Sequence, residues 1–127
     1  MTVRRVVPNI TSARFDQSRE FYVDFLGLQV AMDMGFIITF ASATNPTAQI
    51  SVIRDGSSAA PPQLTVEVSD VDEVYARALE RRLHIAYPLT DEPWGVRRFF
   101  VVDPNGVVLN IMSHDRGIAG ASLGSAS

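Results

Sequence analysis

The chain has 127 residues, 46% hydrophobic and 20% charged, which fits one domain with a core of its own. Fourteen acidic residues against eleven basic ones leave a net charge of -3, which disfavours a nucleic-acid partner and mildly favours cationic ligands. Every basic residue is Arg and there is no Cys, so Schiff-base lysines, disulfides, thiolate nucleophiles and sulfur-ligated metals are all excluded. The first residues lack an apolar signal core, and no run approaches membrane-spanning length, so a cytoplasmic protein with no membrane partner is expected.

Residues 3–10 are β-rich but contain Pro8, which predicts an edge or irregular strand. A helix is expected over 16–26, with Asp16 as N-cap, Phe21, Phe25 and Leu28 at helical spacing, and Gly27 as the stop. Three short apolar segments follow at 28–34, 36–41 and 48–53, separated by Asp33-Met34-Gly35 and Thr44-Asn45-Pro46, and read as a meander of strands. Residues 55–62 have the composition of a linker.

The pattern then repeats. Residues 63–68 alternate as a strand, with Leu64, Val66 and Val68 on one face and Gln63, Thr65 and Glu67 on the other. A helix over 70–83 is N-capped by Asp70 or Ser69, with Val71, Val74, Ala78 and Leu79 as its apolar stripe. A short strand at 84–88 precedes a hairpin. Its first strand covers 99–102, Asp103-Pro104-Asn105-Gly106 supplies the turn, and its second strand covers 107–112. On that last strand Val107, Leu109 and Ile111 alternate against Val108, Asn110 and Met112, so Asn110 points either to solvent or into a cleft. The tail from Arg116 is rich in Gly, Ala and Ser and is expected to be flexible.

The expected fold class is therefore α+β. Two tandem βαβββ modules, about 3–54 and 63–113, would form a curved, largely antiparallel sheet around a cleft, with helices on the outer face. They make a single domain over 1–115, followed by the tail at 116–127.

Ser18-Arg19-Glu20-Phe21-Tyr22 and Leu26-Gly27-Leu28 in the first module, with Asp103-Pro104-Asn105-Gly106 in the second, resemble the vicinal oxygen chelate superfamily. That group contains glyoxalase I, extradiol dioxygenases, fosfomycin-resistance enzymes and bleomycin-resistance proteins. The resemblance runs from about Val3 to His114, and the Pro93-Trp94-Gly95…Arg97…Phe99 segment looks most like the bleomycin-resistance branch. Enzymes of the superfamily hold a divalent metal with His, Gln or Glu. The resemblance puts those ligands at Val7, near Gln49 or Ser51, at Gln63 and at Asn110. A valine and neutral amides leave a hard dication uncompensated, so neither a metal nor another cofactor is expected.

Trp94 is either a loop aromatic covering the core or a stacking wall at the cleft mouth. Asn110, Gln49, Gln63, Asn9 and Glu67 are the polar candidates for the cleft, with Arg98, Phe100 and Phe40 beside them. His84 and His114 have no evident partner for acid–base work, and no catalytic residue is assigned. The resulting expectation is a metal-free protein that sequesters an aromatic or cationic organic compound such as an antibiotic. The alternative is a metal-dependent lyase, isomerase or dioxygenase of glyoxalase type with an atypical site, and a third reading is a regulatory ligand-binding module. The resemblance further implies a homodimer.

Overall fold

In the computed structural model, residues 1–56 and 61–114 are described; the central part of the expected linker and the expected tail lie outside them. Eight strands form one curved, unclosed sheet in the order β2-β3-β4-β1-β5-β8-β7-β6. The first module is β1 (Val3–Ser12), α1 (Phe15–Glu20), β2 (Gln29–Asp33), β3 (Ile37–Ala41) and β4 (Gln49–Arg54). The second is β5 (Leu64–Val68), α2 (Val71–Glu80), β6 (Ile85–Asp91), β7 (Val96–Val102) and β8 (Val108–His114). Within each module the first strand runs parallel to the last, β1 beside β4 and β5 beside β8. The modules are joined where β1 and β5 pair antiparallel.

That join corrects the expected place of β1, which lies in the middle of the sheet and not at an edge. Pro8 is tolerated there because the ladder changes sides. Val3 to Pro8 are in register with β5, whereas Asn9 to Ser12 are in register with β4. A missing N–H at the handover interrupts neither ladder for long.

The first helix also departs from expectation. Its N-cap is Arg14, not Asp16, and the cap makes no side-chain hydrogen bond. After Glu20 the backbone widens into a π-helical turn over Phe21–Phe25. The turn rotates Phe21 and Phe25 outward, and Phe25 is 74% exposed. Phe15, Tyr22, Val23 and Leu28 instead pack on Ile38, Phe40 and Val52. The second helix follows its sequence signals more closely. Asp70 caps it, accepting from the Glu73 N–H at 3.2 Å. Val71 and Ala78 are buried against Val68, Phe99, Val101 and Ile111, with Val74 and Tyr75 packed alongside. Leu79, expected in the apolar stripe, is exposed.

The Asp103–Gly106 turn forms as its residues require. Gly106 sits at φ 82°, where a side chain would be strained. Asp103 Oδ1 accepts from the Val107 and Asn105 N–H groups at 2.9 and 2.8 Å, which hold its carboxyl below the usual range.

Both helices cover one face of the sheet, so side chains alternating with that core point to the other, helix-free face. Among the described residues no helix is long and apolar enough to cross a membrane.

Phe99 is fully buried and meets Tyr75 edge-on, with ring centroids 4.9 Å apart. Phe99→Ala is expected to cost about 3–5 kcal/mol and to lower Tm by about 10 °C or more, whereas Leu79→Gln, at an exposed position of α2, leaves Tm nearly unchanged. Thermal denaturation followed by circular dichroism checks the contrast.

Candidate functional site

Register decides which side chains meet on the helix-free face. Val7 is opposite Thr65, Thr65 is beside Asn110, and Asn110 is opposite Phe100, whose neighbour on β6 is Tyr87. A second row contains Arg5, Glu67, Met112 and Arg98. Asn9, Ser51 and Thr39 make a third. Residues on β1, β5, β7 and β8 are thus gathered at the seam between modules.

Asn110 turns inward and is fully buried. Thr65 Oγ1 accepts from both Asn110 Nδ2, at 3.3 Å, and Asn9 Nδ2, at 2.9 Å. The opposite ends of the two amides, Asn110 Oδ1 and Asn9 Oδ1, are buried and meet no donor. Reversing either amide would only replace an unmatched oxygen by an unmatched NH₂, so the deficit belongs to the site. Thr39 and Ser51 satisfy each other through hydroxyls 2.8 Å apart.

The second row holds a buried ion pair. Arg5 Nε donates to Glu67 Oε1 at 2.5 Å, with the two side chains 5% and 7% exposed. Arg5 Nη1 also donates to Gln49 Oε1. His114 Nε2 lies 3.6 Å from Glu67 Oε2, too far for a hydrogen bond, and has no other hydrogen-bond partner. Burial pushes the His114 pKa below the ordinary range; the Glu67 charge opposes that, and Arg5 and Arg4 reinforce it.

The third feature is an aromatic box. The turn after β6 is closed by Glu92 N–H donating to Val96 O at 2.7 Å and Gly95 N–H to Glu92 O at 3.2 Å. It places Trp94 over β7. The Arg98 guanidinium carbon lies 5.5, 5.3 and 4.9 Å from the ring centroids of Tyr87, Trp94 and Phe100. Arg98 Nε and Tyr87 Oη both donate to Glu92 Oε2, at 2.7 and 3.0 Å. The Arg98 and Glu92 side chains are 16% and 9% exposed.

Several expected site residues therefore meet: Asn110, Asn9, Gln49, Glu67, Arg98, Phe100 and Trp94. Two do not join them. Phe40 packs under the first helix against the Tyr22 ring, because Thr39 and Ala41 take the helix-free side of β3. Gln63 precedes β5 and is exposed, and its Oε1 accepts from the Val108 N–H at 3.3 Å. Thr65, not Gln63, stands between Val7 and Asn110.

Arg5, Tyr87 and Glu92 were not singled out by the sequence, and His114 was set aside there for want of a partner. Two of them had a signal in the strand period. Arg5 shares a face with Val7 and Asn9, and His114 shares one with Asn110. Glu92 had none, since a turn brings it back onto β7.

Among the described residues no group of three or more His, Cys, Asp or Glu could hold a metal ion. The donors at the positions that the resemblance assigns are a valine, a hydroxyl and neutral amides, and the nearest carboxylate, Glu67, already neutralises Arg5. This set does not fit a hard divalent cation.

Removing one partner of a buried ion pair strands the other charge, so Glu67→Gln is expected to cost about 3–5 kcal/mol in urea denaturation. His114 gives a pH signature of known sign. Its folded pKa is depressed, so unfolding takes up a proton in acid. The stability it contributes is complete above about pH 6.5 and declines as pH falls below that value. Denaturation between about pH 7.5 and 5.5 should show this slope reduced in His114→Gln.

Comparison with known proteins places this arrangement in a family. A structure of a glyoxalase/bleomycin resistance protein/dioxygenase superfamily member from Vibrio splendidus 12B01 superposes with TM-score 0.69 at 19% identity, over 88% of this chain and 99% of that one. A hypothetical protein from Bacillus halodurans C-125 superposes with TM-score 0.71 at 14% identity, over 91% and 97%. A Mn(II)-bound glyoxalase from Novosphingobium aromaticivorans superposes with TM-score 0.61 at 19% identity, over 93% of this chain but 42% of that one. These likenesses concern the fold. No curated relative matches the chain. The sequence profile of the Glyoxalase/Bleomycin resistance protein/Dioxygenase superfamily matches residues 5–111, and the chain belongs to that superfamily.

Proposed function

We propose that this chain is a metal-independent binding protein of the bleomycin-resistance kind, which sequesters a small aromatic compound such as an antibiotic in the cytoplasm. The observation that carries the reading is the row Val7, Thr65, Asn110 and Phe100. Val7 and Asn110 in this row stand at positions to which the resemblance assigns the enzymes' metal ligands, yet the row's side chains are apolar or neutral. Three aromatic rings border it at Tyr87, Trp94 and Phe100, and flat surfaces of that kind suit an aromatic ligand. Binding by itself suffices for sequestration, so no nucleophile or general base is needed. The glyoxalase-type enzyme would need a Lewis acid that this donor set does not suit.

A homodimer is part of the same proposal. The outward Phe21, Phe25 and Leu26, with Val30 on edge strand β2, form an apolar stretch that a second copy could cover.

Three measurements test these statements. Trp94→Ala should weaken an aromatic ligand several-fold, since ring contacts of this kind contribute about 0.5–1.5 kcal/mol, and leave Tm nearly unchanged. Mn²⁺, Ni²⁺ and Zn²⁺ should neither raise Tm nor alter affinity, and a chelator should have no effect. A stoichiometric metal whose removal abolishes binding or turnover would sink the proposal. Light scattering should give twice the 13.9 kDa chain mass, and Phe25→Asp should return it to the monomer value.

A further inference from the structure

The aromatic box is already filled by a cation of the protein's own. Arg98 is held on one edge by Glu92, through Nε, and across its faces by Tyr87, Trp94 and Phe100. Among the described residues its two terminal nitrogens, Nη1 and Nη2, make no hydrogen bond or ion pair. A guanidinium is planar and rigid, and its terminal edge matches the two oxygens of a carboxylate. Fixing it from behind removes most of the rotamer freedom that a ligand would otherwise have to quench.

The local charge opposes the overall one. A net charge of -3 favours cations on average. Within the box, however, the Glu92 oxygen already accepts from both Arg98 and Tyr87, while Arg98 still has donors to offer. An entering cation would meet a like charge and would have to displace it.

Beside the box, Asn110 faces Phe100 across the β7–β8 pair, with a fully buried amide whose Oδ1 has no donor. An unmatched acceptor at that depth costs free energy unless something fills its need. Turned over, the same amide presents an unmatched NH₂ that a ligand's oxygen can accept from, so this second observation points to a ligand on this face independently of Arg98.

Building on the binding function proposed above, we infer that the ligand is an aromatic carboxylate. Its carboxylate pairs with the terminal edge of Arg98, its ring lies along Trp94, and Glu92 acts as a positioning residue that holds Arg98 in place. No covalent step is involved.

The test uses the wild-type protein with three matched probes: 2-naphthoate, 2-naphthalenemethanol and 2-naphthylmethylammonium. Isotope-labelled protein is titrated by NMR, following the Trp94 indole N–H, the only such signal in the chain, and the Arg98 Nε–H. Naphthoate is expected to move both signals and to bind about tenfold or more tightly than the alcohol, the range of a charge-assisted hydrogen bond. Arg98→Gln should abolish the preference for naphthoate over the alcohol, and Glu92→Gln should reduce it. Equal binding of naphthoate and alcohol would overturn the carboxylate inference and leave the aromatic binding function standing. Tightest binding by the ammonium, with Arg98 released from Glu92, would overturn it in favour of a cation that displaces Arg98. If no probe moves the Trp94 signal, the binding function fails and the inference fails with it.

Discussion

The antiparallel pairing of β1 with β5 is the constraint on which the rest of this structure depends. Each module alone has a helix-covered face and an uncovered one, and only the join brings the two uncovered faces together. The seam carries a buried charge pair, Arg5 and Glu67, placed opposite each other by the same register that puts Val7 opposite Thr65. A one-residue slip would turn the slipped strand's members of both rows toward the helices. A buried ion pair is weak evidence for stability, because desolvation offsets much of its attraction. Its better-supported role here is to specify register, since the slipped pairing would bury one charge in an apolar core and leave the other without its partner.

The same seam determines what the helix-free face can hold. Superfamily enzymes need anionic or imidazole donors converging on one point. Here one carboxylate is present and a guanidinium already occupies its oxygen, with Gln49 accepting from the same cation. Arg5 thus supplies the positive charge that would otherwise be an ion's. At the other end of the face, Arg98 fills an aromatic box in the same manner. Arg5 is sealed from solvent, whereas Arg98 keeps its terminal nitrogens available.

Much of the architecture could be read from local signals. Turn chemistry at Asp103–Gly106, the cap at Asp70 and the alternation of strands are properties of a few neighbouring residues, and they formed as expected. The misreadings have physical causes. Pro8 ordinarily excludes a central strand, but the ladder changes partners beside it. Helical spacing of Phe21 and Phe25 implied burial, but a π-helical turn shifts the phase and carries them outward. Phe40 was assigned to the cleft although the strand period puts it with Ile38 under the helix.

The amino-acid sequence by itself determined the βαβββ duplication and the superfamily, because period, turn residues and composition act over a few positions. Only the tertiary structure decided which polar groups meet. Arg5 and Glu67 are 62 residues apart, and Asn110 and Thr65 are 45 apart. Nothing local relates such residues; strand register and sheet curvature do. The pairing of Arg98 with Glu92 spans six residues, yet it too depends on a turn that folds Trp94 back over β7. Charge at a site follows from such meetings, which is why a chain of net charge -3 can hold an arginine among the aromatic rings of this face.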